Sequence, residues 1–215
     1  MTYSEHMKLL EQGVDAWNAV RRENPGFAPE LHQADLHGAD LPGVDLSRAD
    51  LGSANLFGAN LQGADLREAY LVSANLGSAN LREANLSEAD LRHARLKDTL
   101  LERGVFQGTV FGEADLRGRD FRGSDFRNAN LFQANLGETN FARANLEGAY
   151  LAEANLHMAN FNETNLRGAN FVKAVLREAF LKTADLAGAR LDKADLQGAF
   201  LSARQRVGLK FFSRK

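Results

Sequence analysis

Residues 74–91 read ANLGSANLREANLSEADL, and the same five-residue spacing runs through most of the chain. From Leu31 to Leu201 every fifth residue is Leu or Phe, which gives 35 central residues, 28 Leu and 7 Phe. Two places before the centre most repeats have Ala, and one place before it most have Asp or Asn. Because the register never shifts, the pattern predicts one repetitive architecture without insertions.

A period of five residues fits neither regular element. In a helix the apolar positions would spread around the whole surface, and in a straight strand they would alternate between two faces. The chain must therefore bend within every repeat, and Asp or Asn suits such a bend because its side chain bonds to nearby backbone. Stacked coils would then bury one continuous core, as in a β-solenoid. The number of repeats per coil stays open, since Phe pairs recur equally often three and four repeats apart, and Gly pairs favour four only mildly.

The repeats resemble those of the pentapeptide-repeat family, as in the triplets Ala34-Asp35-Leu36, Ala54-Asn55-Leu56 and Ala84-Asn85-Leu86. The resemblance covers about four-fifths of the chain. It implies an all-β fold, a right-handed quadrilateral β-helix with four repeats per coil and just under nine coils. It also implies that Leu, Phe and Ala point inward and that the other three residues of each repeat point outward.

Three segments are expected from the pattern: a capping helix and linker at 1–28, the β-helix at 29–203, and a basic cap or tail at 204–215. A solenoid needs caps because its core is open at both ends. The first cap is predicted as one helix over 3–23, which begins with a capping box of Thr2 and Glu5 and stops before Pro25-Gly26. Its apolar face consists of Met7, Leu10, Val14 and Trp17.

Three groups of outward or terminal residues are candidate contact surfaces. If each coil has four repeats, six outward apolar residues lie on one side as an interrupted ladder: Tyr70, Val72, Val110, Phe132, Tyr150 and Val172. They are either scattered surface residues or a binding or dimer face. The pattern loosens in one irregular coil, which indicates either a local kink or tighter packing, or an interaction site. The residues of this coil are Arg95, Leu100, Gly104 and Val105. The tail is expected either to fold back as a cap or to join two chains in a dimer, through Phe180, Phe200, Phe211 and Phe212.

Nothing in the sequence indicates catalysis. The five His residues form no metal-ligand spacing, Cys is absent, and no phosphate-binding loop or nucleophile elbow occurs. A filled interior would also leave no ligand cavity. We therefore expect no enzyme, no cofactor and no metal. Because the first residues lack a leader pattern and no run could span a bilayer, a cytoplasmic protein is expected.

The functional prediction is a non-catalytic interaction module that presents a surface to an unidentified protein partner or to a second copy in a homodimer. The family resemblance implies an alternative, since some members protect DNA gyrase or another type II topoisomerase from inhibitors by resembling duplex DNA. That alternative would make this chain an antibiotic-resistance or self-immunity protein. The four sides carry net charges of −2, −2, 0 and −3, which is far from the dense anionic stripe of a phosphate backbone. Direct binding of nucleic acid or membrane is not expected.

Overall fold

A computed structural model describes residues 2–206 of the chain. The chain divides into two compact units, Met1–Val110 and Phe111–Lys215, which are described separately below as unit 1 and unit 2.

In both units, parallel backbone pairing joins positions that are four repeats apart. Asp50 pairs with Tyr70 in unit 1, and Tyr150 pairs with Asn170 in unit 2. Each coil therefore contains four five-residue repeats, and the alternative of three repeats per coil is wrong. The fold is a right-handed quadrilateral β-helix, as the family resemblance implies.

Most repeats make the same backbone hydrogen bonds, for example the repeat centred on Leu51. The Leu51 N–H donates to the carbonyl of Tyr70 in the next coil at 2.8 Å, and the Leu51 carbonyl accepts from Ala54 at 3.0 Å across a β-turn. Parallel pairing is confined to single residues because a turn follows every paired position. Leu51 and Ala54 are completely buried. The central residue and the Ala thus fill the core, while the remaining positions form the four sides.

The second residue after each centre lies in the left-handed region of backbone space. From Gln33 to Gly198 every such residue has φ between 54° and 73°, except Thr183. Thr183 is also the only β-branched residue at this position. Since a branched Cβ is strongly disfavoured at positive φ, its departure follows from its side chain. Its hydroxyl accepts the N–H of Glu163 at 2.9 Å, a role that a backbone carbonyl has in the regular corners.

The residue before each centre stabilises the coil in the way its Asp or Asn identity predicts. Within a repeat its side-chain oxygen accepts the N–H two residues later, as Asn75 does from Gly77 at 3.3 Å. Between coils the amides form ladders, in which Asn75 donates to Asn55 at 3.2 Å and Asn55 donates to Asp35 at 3.0 Å. These side chains therefore hold both the corner and the stacking of coils.

The N-terminal cap is helical, but it contains two helices instead of the single helix expected over 3–23. Helix α1 spans Tyr3–Glu11 and helix α2 spans Val14–Glu23. The break falls at Gly13, whose φ of 98° cannot continue an α-helix. The capping box of Thr2 and Glu5 is present as predicted.

Two polar side chains share the buried side of the cap with Leu10 and Trp17. Arg21 is 3% exposed, pairs with Asp45 at 3.2 Å and donates to the carbonyl of Ser47 at 2.8 Å. His6 is 1% exposed and its Nδ1 lies 3.1 Å from the carbonyl of Glu30. The cap is therefore fixed by polar contacts to the first coils as well as by its apolar face.

Candidate interaction surface

The predicted apolar ladder divides between the two units, and unit 2 contains Phe132, Tyr150 and Val172. The rings of Phe132 and Tyr150 stack, with centroids 5.8 Å apart and an angle of 24° between their planes. Tyr150 is 41% exposed, whereas Phe132 and Val172 are half-buried. We call this surface the Tyr150 side. It presents an aromatic pair and an aliphatic side chain to solvent.

The backbone of the Tyr150 side is hydrogen-bonded to the Asn side chains that precede each centre. The N–H of Phe132 donates to the side chain of Asn130 at 3.1 Å, and the N–H of Val172 donates to Asn170 at 3.0 Å. Ala152 occupies the same position of its repeat as Phe132 and Val172, in the coil between theirs, and it is only 5% exposed. A partner that binds here would therefore meet a preformed surface with little backbone freedom to lose.

Charges next to the Tyr150 side are paired. Glu153 accepts hydrogen bonds from Lys173 at 2.8 Å and from Gln133 at 3.0 Å. The hydrogen bond from Lys173, followed by that from Gln133, holds the pKa of Glu153 below its ordinary value. The same bond raises the pKa of Lys173. Both groups stay charged at neutral pH, and they form a polar rim beside the aromatic pair.

In unit 1 the ladder residues Tyr70, Val72 and Val110 also share one side, which is less continuous. Tyr70 is 45% exposed and leans across Gly52, where a Cβ would lie only 2.9 Å from Tyr70 Cε1 and 2.7 Å from His32 Nδ1. The two side chains can approach this point only because residue 52 is glycine.

An ion pair separates Tyr70 from Val110 on this side of unit 1. Asp90 pairs in register with both residues, and Arg92 binds its carboxylate through two nitrogens at 3.0 and 2.6 Å. Partial burial opposes ionisation of Asp90, but the hydrogen bonds from Arg92 hold its pKa below the ordinary value. The predicted ladder is therefore contiguous around Phe132 and Tyr150 and interrupted in unit 1.

The irregular coil lies in unit 1 and pairs with the preceding coil in the regular way, through Arg95, Leu100 and Val105. Leu100 and Val105 are half-buried, and Arg95 is exposed. Gly104 replaces the usual Ala for a packing reason, because a Cβ there would lie 2.6 Å from the ring of Phe106. Packing therefore explains the change at Gly104.

Near the end of unit 2, Phe180 and Phe200 stack in parallel with ring centroids 4.8 Å apart and planes at 3°. They are 36% and 51% exposed. The other two residues of this predicted group, Phe211 and Phe212, lie outside the described residues.

Sequence reasoning missed a further exposed ring pair on a different side of unit 1. His37 and Phe57 stack at 5.6 Å with planes at 15°, and Phe57 is 42% exposed. They occupy the first position after the centre in consecutive coils, so the four-repeat spacing would have revealed them. This pair, like Phe180 and Phe200 in unit 2, shows that rings one coil apart in sequence can stack on the surface.

A pocket of about 680 Å³, open on one side, lies at the last coil of unit 2. It is lined by the last core residues, including Leu186 and Leu191, together with Ser202 and Gln205. Within residues 2–206 no cluster of three His, Asp or Glu side chains could hold a metal ion. No helix in this part of the chain is long and apolar enough to cross a membrane.

The fold and its surfaces define a class of protein, the four-sided β-solenoid of five-residue repeats with a helical cap at its N-terminus. The pentapeptide repeats family matches this sequence in 8 copies, over residues 30–67, 59–98, 89–128, 129–168 and 164–202. The chain belongs to the pentapeptide repeat family.

Several solved structures are similar to this chain. HetL, a pentapeptide repeat protein involved in heterocyst differentiation regulation in Nostoc sp. strain PCC 7120, is 30% identical over 86% of this chain and 97% of its own, with a TM-score of 0.39. A pentapeptide repeat protein from the cyanobacterium Cyanothece 51142 is 26% identical over 62% of this chain and 88% of its own, with a TM-score of 0.40. QnrB1, a plasmid-mediated fluoroquinolone resistance protein, is 20% identical over 88% of this chain and 99% of its own, with a TM-score of 0.40. No curated protein is a significant match.

Proposed function

We propose that this protein is a non-catalytic interaction module that binds a protein partner through the Tyr150 side of unit 2. The single observation that carries the proposal is the exposed stack of Phe132 and Tyr150 on a fixed backbone. Aromatic side chains are enriched at the centres of protein interfaces, where they bury much area and lose little conformational freedom. The neighbouring pair of Glu153 and Lys173 would form the polar rim of such an interface.

Charge on the repeat surfaces favours this function over mimicry of duplex DNA. Asp residues before the centre are often neutralised by an Arg two residues later in the same repeat. The guanidinium nitrogen and the carboxylate oxygen are 2.8 Å apart or less in four such pairs: Asp65–Arg67, Asp115–Arg117, Asp120–Arg122 and Asp125–Arg127. A surface whose carboxylates are matched by guanidinium groups lacks the continuous negative potential of a phosphate backbone.

The aromatic pair is tested by the double substitution Phe132→Ser and Tyr150→Ser. Each lost ring should weaken partner binding or self-association by about 1–2 kcal/mol, or roughly five- to thirtyfold. Because Tyr150 is exposed, Phe132 is only half-buried and neither ring belongs to the core, the melting temperature should change little. The measurements are crosslinking with affinity capture in the source cells, and sedimentation of the purified chain.

Phe57→Ser is the matched control, since Phe57 is similarly exposed but lies on a side of unit 1. Equal loss of binding in the control and the double variant would contradict the proposal. A supercoiling assay with purified DNA gyrase, with and without a quinolone, tests the alternative. Inhibition or protection at micromolar protein that survives the double substitution would favour the topoisomerase function instead.

A further inference from the structure

The pocket of about 680 Å³ at the last coil of unit 2 has an apolar floor. Leu186 and Leu191 are the centres of their repeats, yet both are only half-buried, whereas the preceding centre, Leu181, is 1% exposed. Ala184 and Ala189 extend this lining. Small-molecule sites have volumes of about 300–1,000 Å³ and are mostly apolar, with a few polar groups that orient the ligand. The pocket therefore has the size and the floor of an ordinary site for a small apolar body.

The rim of the pocket is positively charged. It contains three cations and one carboxylate, which give a net charge of +2: Arg167, Lys182, Arg204 and Asp185. The carboxylate of Asp185 is already bound, by Arg167 at 3.1 Å and by the N–H of Ala187 at 3.0 Å. Lys182 and Arg204 are exposed, and neither forms an ion pair with a described residue of unit 2. Two cations of the rim are thus available to an anion.

Backbone N–H groups of the pocket lining also lack acceptors among the described residues. In a regular corner, such as that of Lys173, the N–H donates to a carbonyl of the following coil at 2.9 Å. Thr183 departs from this conformation, and its hydroxyl binds an N–H of the preceding coil at 2.9 Å, but its own N–H has no acceptor within residues 111–206. The N–H groups of Leu186 and Leu191 are unpaired in the same range. Unpaired N–H groups favour a ligand with oxygen acceptors and negative charge.

We propose that this pocket binds a monoanionic amphiphile of the fatty-acid type, with its carboxylate at Lys182 and Arg204 and its hydrocarbon chain on Leu186 and Leu191. A purely ionic ligand would leave the apolar floor in contact with water, and a neutral apolar ligand would leave the two cations unmatched. An amphiphile satisfies both parts of the lining. None of these residues belongs to the Tyr150 side, so the pocket is a second site whose ligand is independent of the protein partner.

Calorimetric titration of the full chain with decanoate, below its micellar concentration, tests the chemistry of the ligand. Decanoate should bind at one saturable site. Octanoate is two methylenes shorter and should bind about tenfold more weakly, because each buried methylene contributes roughly fourfold. Decanamide keeps the chain without the charge and should also bind about tenfold more weakly. No saturable binding of decanoate, or equal affinity for decanoate and either analogue, would overturn the proposal.

A matched pair of double variants tests the two cations. Lys182→Gln with Arg204→Gln should weaken the binding of decanoate about tenfold. Lys193→Gln with Arg206→Gln removes the same charge from exposed residues that do not line the pocket, and it should change the affinity by no more than about twofold. Equal weakening in both variants would show general attraction by the positive charge of this end and would contradict a defined site.

A nuclear magnetic resonance titration locates the ligand in the full chain. The amide resonances of Leu186 and Leu191 should shift as decanoate is added and saturate with the calorimetric affinity, while that of Tyr150 should not move. Shifts confined to the Tyr150 side would place the amphiphile on the exposed aromatic pair and overturn the assignment to the pocket.

Discussion

At the residue scale, the corner of each repeat depends on a backbone conformation that ordinary side chains adopt only at a cost. Ser78, with φ of 56°, is exposed and occupies this position in unit 1. Ser78→Val should therefore lower the free energy of unfolding by about 1–2 kcal/mol, whereas Ser78→Gly should be nearly neutral. Chemical denaturation of the purified variants measures both effects.

The control for this prediction is Lys97→Val, an exposed residue one place after its centre, outside the positive-φ position. It should change the free energy of unfolding by no more than about 0.5 kcal/mol. If valine lowers the free energy of unfolding equally at residues 78 and 97, the left-handed backbone conformation is not what restricts the residue at the corner.

At the scale of the element, the N-terminal cap depends on one buried cation. Arg21 joins helix α2 to the first coils through Asp45 and Ser47, and it also donates to the carbonyl of Phe27. Removing it would leave the partly buried carboxylate of Asp45 with hydrogen bonds from Ser47 alone, and the carbonyl groups of Phe27 and Ser47 without the guanidinium donor. This is far more costly than losing an exposed ion pair.

Arg21→Ala should therefore destabilise the cap by about 3 kcal/mol and expose α1 and α2 to proteolysis. Arg22→Ala, an exposed change in the same helix, should have an effect within about 0.5 kcal/mol. Limited proteolysis and thermal denaturation compare the two. A cap that resists protease equally in both variants would show that the apolar face alone holds it.

The sequence predicted the elements to the extent that each depends on a local rule. The five-residue period required a bend in every repeat, but the coil length was undecided because outward residues need not match between coils. The helix break was missed because the apolar face from Leu10 to Trp17 continues across Gly13. The burial of His6 and Arg21 was missed because only contacts with distant residues, such as Asp45, make it favourable. Phe132 and Tyr150 were placed on one side, but their stacking required the geometry of adjacent coils.

At the scale of the whole molecule, carboxylates with lowered pKa values occur in both units. Burial opposes ionisation of Asp45 and Asp90, but their hydrogen bonds, from Ser47 and Arg21 to Asp45 and from Arg92 to Asp90, outweigh it and lower each pKa. In unit 2 the hydrogen bond from Arg117 lowers the pKa of Asp115. Since each folded value lies below the unfolded one, these groups stabilise the fold above the unfolded pKa. Their contribution is lost as the pH falls through the folded pKa.

The melting temperature should accordingly begin to fall once the pH drops below about 4, where the unfolded carboxylates start to bind protons first. The double variant Asp90→Asn and Asp115→Asn should melt about 2–4 °C lower at pH 7 and lose less stability on acidification, because two of the linked groups are gone. Glu23→Gln, at the exposed end of α2, should leave the fall of the melting temperature at acid pH unchanged. Calorimetry between pH 2.5 and 7, a range chosen to bracket the ordinary Asp pKa of about 3.9, measures the slopes. If the double variant and the parent lose stability in parallel, the Asp–Arg pairs do not contribute to the pH dependence, and other groups must be responsible.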